Sequence, residues 1–220
     1  RRRGPVPRGR PFSGRGGGQR ENVQSRQGKD GHEYGGVYRS EDGGDTWKRV
    51  NSLNPRPMYF SQIRVDPNND KSVYVMGISL HHSSDGGKTF RPDAGRGTHP
   101  DHHALWIDPR DGRHLILGND GGIYHSYDRG RTWDHLNNVA IGQFYHVAVD
   151  TRENYRVYGG LQDNGTWGGP ALTRRVIGPI NEDWIRVGSG DGFRCAVDVS
   201  DPDQVYYSSQ NGNLARRNFR

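Results

Sequence analysis

The chain has 220 residues, with 33 glycines, 12 prolines and only 30% of residues of the hydrophobic types. That balance suits many short strands joined by tight turns and suits a helical bundle poorly. No apolar run approaches the ~20 residues of a membrane span, and a single cysteine, Cys195, excludes an intramolecular disulfide and a cysteine-based zinc site.

The formal charge of +6 is concentrated at one end, where residues 1–30 hold eight Arg and Lys29 against Glu21 and Asp30. The remainder is close to neutral, which argues against nucleic acid as a partner. Residues 1–33 have almost no large apolar side chains and cannot offset their ordering entropy by burial. They read as a disordered Arg/Gly-rich segment or insertion loop, in preference to an RNA-contacting tail. Opening on Arg1-Arg2-Arg3 without Met, the chain reads as a piece of a longer protein.

From residue 40 onward one octapeptide recurs. It begins at Ser40, Ser83 and Ser126, 43 residues apart each time, with the pattern Ser-x-Asp-x-Gly-x-Thr-aromatic. The matching residues are Ser40, Asp42, Gly44, Thr46 and Trp47; Ser83, Asp85, Gly87, Thr89 and Phe90; and Ser126, Asp128, Gly130, Thr132 and Trp133. Asp accepts turn amide hydrogens, Gly takes a positive φ, and the aromatic packs between sheets. These residues read as hairpin structure and not as catalysts.

A second signal has the same period. Apolar runs end in Asp66, Asp108, Asp150 and Asp198, at spacings of 42, 42 and 48 residues. Asp at a strand end starts a turn, and a further strand follows each one. The unit 103–137 shows the scheme: strand A at His103–Ile107, B at His114–Gly118, C at Gly122–Tyr127 and D at Thr132–Leu136. Four strands in about 42 residues is the size of a propeller blade. The expected fold is therefore all-β, a propeller of four-stranded antiparallel blades with an incomplete ring. Its propeller portion covers 34–220: a partial blade 36–50, blades 59–92, 102–137 and 144–187, and a partial blade 192–220. The blade 144–187 carries an insertion around Gly168–Asn181, and Asp163-Asn164-Gly165-Thr166-Trp167 is a degenerate echo of the octapeptide.

In such blades the A–B and C–D turns share one face, and the B–C turns and D–A connections share the other. The octapeptides are C–D turns. The unusual polar residues fall opposite, and they form the expected ligand-binding set: His102, His103, Asn119, Asp120, Gln143, Tyr145, Gln162, Asp163, Asn164, Asp191, Arg194 and Gln210. Asp101, Asp120, Asp163 and Asp191 are the candidate carboxylates for catalysis, since glycoside hydrolysis needs a suitably separated pair. The cluster His99-Pro100-Asp101-His102-His103 invites a metal. Neighbours on a strand point to opposite sides, however, so His102 and His103 do not share one ion. No cofactor is expected, and a metal at the His99–His103 cluster, with a partner from another loop such as Asp120, is the minor option. His81-His82 reads as surface pairing on a strand, and Cys195, in the alternation Phe193, Cys195, Val197, as a small buried hydrophobe.

The octapeptide is similar to the Asp-box, or bacterial neuraminidase repeat, found in sialidases, sortilin-type receptors, xyloglucan-hydrolase-like enzymes and photosystem II assembly factors. The linking text His102-His103-Ala104-Leu105-Trp106-Ile107-Asp108-Pro109, Gly118-Asn119-Asp120-Gly121-Gly122, Gly142-Gln143-Phe144-Tyr145 and Gly159-Gly160-Leu161-Gln162-Asp163-Asn164-Gly165 resembles large secreted bacterial propellers. Those are akin to the sortilin N-terminal propeller and are often termed glycosyl hydrolases. The resemblance implies a secreted, periplasmic or cell-surface protein whose further blades lie outside this chain. It implies binding of a protein or glycan on the channel face, with a glycoside hydrolase using the same aspartates as the alternative. Two departures weaken the enzyme. The sialidase arginine triad is represented only by Arg194 and Arg64, and His103 stands where xyloglucan-hydrolase-like enzymes carry an acidic residue.

Overall fold

The computed structural model describes residues 35–56, 59–138 and 142–220. The reading of residues 1–33 falls outside them. Sixteen strands and no α-helix occur among the described residues, in five antiparallel sheets. The first pairs β1 (Val37–Arg39) with β2 (Lys48–Asn51). The second contains β3 (Gln62–Asp66), β4 (Asn69–Met76) and β5 (Leu80–Ser83), with a single bridge from His82 to Arg91 in place of a fourth strand. The third is complete: β6 (His102–Asp108), β7 (Asp111–Asn119), β8 (Gly122–Ser126) and β9 (Asp134–His135). So is the fourth: β10 (Phe144–Val149), β11 (Arg156–Leu161), β12 (Gly165–Pro170) and β13 (Ile185–Gly188). The fifth holds β14 (Cys195–Val197), β15 (Gln204–Ser209) and β16 (Asn213–Asn218). The chain divides into two compact units between Asn138 and Val139, three sheets in the first and two in the second.

The turns are built from local hydrogen bonds. At each A–B turn the terminal Asp accepts from the amide two residues on: Asn68 N to Asp66 at 2.9 Å, Arg110 N to Asp108 at 2.8 Å, Arg152 N to Asp150 at 3.3 Å and Ser200 N to Asp198 at 2.9 Å. The same turns reach the next sheet within each unit. Asn68 Nδ2 donates to the Asp108 carbonyl at 3.2 Å. Arg152, paired with Asp150 and Asp203, donates to the Pro202 carbonyl at 3.0 Å.

In the octapeptides the Asp carboxylate is a hub. Asp128 Oδ1 accepts from Thr132 N and Arg131 N, both at 2.9 Å, and from Ser126 Oγ at 2.9 Å, while Oδ2 accepts from Thr132 Oγ1 at 2.7 Å. Asp85 repeats the pattern with Thr89, Lys88 and Ser83, and Asp42 with Thr46 and Ser40. Hydrogen bonds to the ionised form, led by the Thr89 hydroxyl, hold the Asp85 carboxyl at about 2.

The cores lie between neighbouring sheets. Register pairs Leu105 with Leu117 and Ile107 with Leu115, so these four side chains share one face of the third sheet. They pack with Tyr74, Met76 and Leu80 of the second. Trp133 closes this cluster and donates from Nε1 to the Ala94 carbonyl at 2.7 Å. Phe90 packs one repeat earlier, on the Val37, Leu53 and Val75 cluster. Each of these two octapeptide aromatics thus covers the preceding repeat. Trp47, in the first octapeptide, is 63% exposed and, among the described residues, bonds only its own turn, at Gly44 O, 2.9 Å. In the second unit Tyr158, Val187 and Val205 form the core, with half-buried Cys195 against it. Burial pushes that thiol up to about 11, which makes it a packing group and a poor nucleophile.

Two sequence expectations need correction. The insertion begins after Pro170, since residues 165–170 form β12. Gly168 and Gly169 mark aromatic packing and not a loop, because a Cβ there would lie 2.4 Å from the Tyr158 ring and 2.5 Å from the Trp184 ring. The echo Asp163–Trp167 spans the β11–β12 turn, a different place in the blade from the three octapeptides. His81 and His82 are not surface residues. His81 is buried, and half-buried His82 stacks on Tyr74 at 4.5 Å and bonds Ser72 Oγ at 3.0 Å.

Four-stranded meanders that stack face to face through apolar cores are the blades of a β-propeller. Among the described residues no sheet pairs with another to close a ring.

Candidate functional site

In the first unit the residues before β6 are tied to the β4–β5 turn. Asp101 N donates to Ile78 O at 3.1 Å and His102 N to Gly77 O at 2.8 Å. Asp101 sits at φ +62, a left-handed conformation costly for a residue with a Cβ. Its carboxylate holds Arg56 Nη1 at 2.5 Å, with the two side chains only 14% and 22% exposed. Strand alternation then separates the histidines. His102 turns inward and is 2% exposed, with Nδ1 unpartnered among the described residues. Burial, reinforced by repulsion from His81, His99 and His103, depresses it to about 4. His103 turns outward, with Nε2 3.0 Å from Asp120 Oδ1 and its ring 4.2 Å from Phe60. Asn119 is occupied in holding the loops, since its Nδ2 donates to His99 O at 2.7 Å and its Oδ1 accepts from Gly121 N at 2.9 Å.

The sequence reading missed three residues of this rim. Arg56, Tyr59 and Phe60 precede β3, and the Arg56 guanidinium lies 4.8 Å from both ring centroids. The signal was present, because Phe60 and Phe144 stand 42 residues either side of His102.

In the second unit the residues before β14 are sewn to the β11–β12 turn in the same manner: Gly192 N donates to Leu161 O at 3.0 Å and Gly165 N to Gly190 O at 2.8 Å. Asp191 bridges two loops, its Oδ1 accepting from Asp163 N at 2.8 Å and its Oδ2 from Gln210 Nε2 at 2.9 Å. Gln162 N donates to Gln143 O at 3.2 Å, and Asn164 Nδ2 to Gln162 O at 3.0 Å. Tyr145 stacks on Phe193 at 5.0 Å. Arg194 is exposed, and its backbone amide bonds Ser208 Oγ at 3.0 Å. Arg64, the other inner-strand arginine, is turned onto Ile63 O and Gln62 Oε1 at 2.8 and 3.0 Å.

The predicted residues therefore fall into both units: Asp101, His102, His103, Asn119 and Asp120 in the first, and the rest in the second. Two cavities of about 300 and 320 Å³ lie beside β1 and β3, lined by Val37, Tyr38 and Ile63 among others. Neither includes a predicted ligand-binding residue. Among the described residues no group of three or more His, Cys, Asp or Glu is placed to hold a metal ion.

The family model for sortilin, neurotensin receptor 3 (Sortilin-Vps10) matches residues 35–164, more than half of the chain. The chain belongs to the Sortilin-Vps10 family. Similar solved structures include a Niastella koreensis GH74 enzyme, 17% identical with a TM-score of 0.39 over 79% of this chain and 29% of that one. A Xanthomonas campestris GH74 xyloglucanase is 16% identical, with a TM-score of 0.37 over 82% of this chain and 34% of that one. YCF48 bound to a D1 peptide is 15% identical, with a TM-score of 0.38 over 83% of this chain and 74% of that one. The chain spans about a third of the length of the two GH74 enzymes. No curated protein matches it. Among the described residues no helix is long and apolar enough to cross a membrane.

Proposed function

We propose that this family member is a recognition module that binds a protein or glycan ligand on a face formed, within each unit, by its B–C turns and D–A connections. The observation that carries this reading is the fixing of that face. In both units the chain entering an A strand is hydrogen-bonded to the preceding sheet's B–C turn, His102 to Gly77 and Gly192 to Leu161. A rim held in this way binds without a large ordering cost. The reading includes an extracytoplasmic location and further blades outside this chain, both resting on the family resemblance.

The alternative is a glycoside hydrolase using Asp101, Asp120, Asp163 and Asp191. It needs one carboxyl to donate a proton and another to attack or activate water. The pairing of Asp101 with Arg56, and the two hydrogen bonds accepted by Asp191, favour fixed structural carboxylates and so support binding.

A panel of immobilised glycans and peptides, combined with an assay for new reducing ends, tests the choice. Retention without turnover is the expected result. Turnover abolished by Asp120→Asn or Asp191→Asn would overturn the binding-only reading.

A further inference from the structure

The geometry points to a neutral-sugar subsite on the first unit, built from Arg56, Tyr59, Phe60, Asp101, His103 and Asp120; this deepens the recognition reading above and rests on it. Tyr59 is 71% exposed, so it presents a ring face and not a hole. Behind it the ring is fixed: Phe60 meets it edge-on at 5.2 Å, and the Arg56 guanidinium lies over both rings. Phe60 in turn meets His103, whose Nε2 is 3.0 Å from Asp120. A flat aromatic face linked through Phe60 to a carboxylate–imidazole pair matches a pyranose, which offers an apolar C–H face and a rim of hydroxyls that both donate and accept.

The charges select against anionic ligands. Arg56 is committed to Asp101, with both side chains largely buried, and His103 is paired with Asp120. An acidic sugar or a peptide carboxylate would meet two carboxylates whose partners, the Arg56 guanidinium and the His103 imidazole, are already engaged. A neutral sugar keeps those pairs intact.

Calorimetric titration of the whole chain with cellohexaose, xylohexaose, mannohexaose and trigalacturonate, alongside neutral and acidic peptides, tests this. At least one neutral hexasaccharide is expected to bind. Tyr59→Ala should weaken it by about tenfold, the loss of one stacking contact, while Tyr59→Trp retains it. Tyr127→Ala, which removes another exposed ring of the same unit, should leave it unchanged. Tyr59 is at the surface, and circular dichroism of each variant reports its folding. Neutral-sugar binding indifferent to both Tyr59→Ala and His103→Ala overturns the subsite. Trigalacturonate binding more tightly than the neutral sugars also overturns it. A peptide that binds and is lost with Tyr59→Ala overturns the sugar but sustains recognition by this face. Absence of any ligand sensitive to these residues overturns both.

Discussion

The His102 amide donates to the Gly77 carbonyl at 2.8 Å, and the His102 side chain lies in the interior of the first unit. A histidine delivered there has to be neutral. Its depressed value of about 4, against about 6.5 in an unfolded chain, makes it an acid-sensitive point.

The sign follows from linkage. Between pH 6.5 and about 4 the unfolded chain holds a proton on this side chain that the folded chain lacks, so stability is full above that window and falls as pH falls through it. The loss approaches about 3 kcal/mol at the low end. Urea unfolding at pH 7.5 and pH 4.5 measures it. His102→Leu should flatten the difference between the two, and an unchanged pH difference would contradict the assignment.

The three octapeptides share one hydrogen-bond hub but differ in what their aromatics cover. Asp128→Ala leaves the Thr132 and Arg131 amides without their acceptor and loosens Trp133, which closes the core of the first unit. It should cost about 2 kcal/mol. Asp42→Ala should cost less, because Trp47 stands exposed and, among the described residues, bonds only within its own turn. Melting temperatures of the two variants decide, and equal losses would mean that the hub matters without its packing.

Gly160 is the tightest backbone approach in the second unit. A Cβ there would lie 2.2 Å from the Gly192 carbonyl carbon and 2.4 Å from Phe193 N, with no flexible side chain to yield. Gly160→Ala should break the bond from Gly192 N to Leu161 O and destabilise that unit by more than about 3 kcal/mol. Hydrogen exchange at the Gly192 and Gly165 amides reads the loss directly. Native protection in the variant would refute it.

The parts of this fold legible in the sequence are those made by short-range bonds. The Asp66, Asp108, Asp150 and Asp198 turns close over two residues, and the octapeptide hubs over four. Their spacing in the chain is therefore also their spacing in blades. The candidate site was half legible. Alternation separates His102 from His103, but which of them enters the core depends on the sheet packed against them. Arg56 meets Asp101 from 45 positions away, and no local pattern records that pairing. Gly168 and Gly169 look like loop residues to a reader of sequence, and only the Tyr158 and Trp184 rings beside them show otherwise.

By itself, then, the sequence determined the repeat and its turns, because each is set by backbone groups a few residues apart. The tertiary structure decided which polar groups are occupied in holding the blades, as Asp191 and Asn119 are, and which ring stands open, as Tyr59 does. Burial and pairing depend on neighbours brought in from distant parts of the chain, and that is where the two readings part.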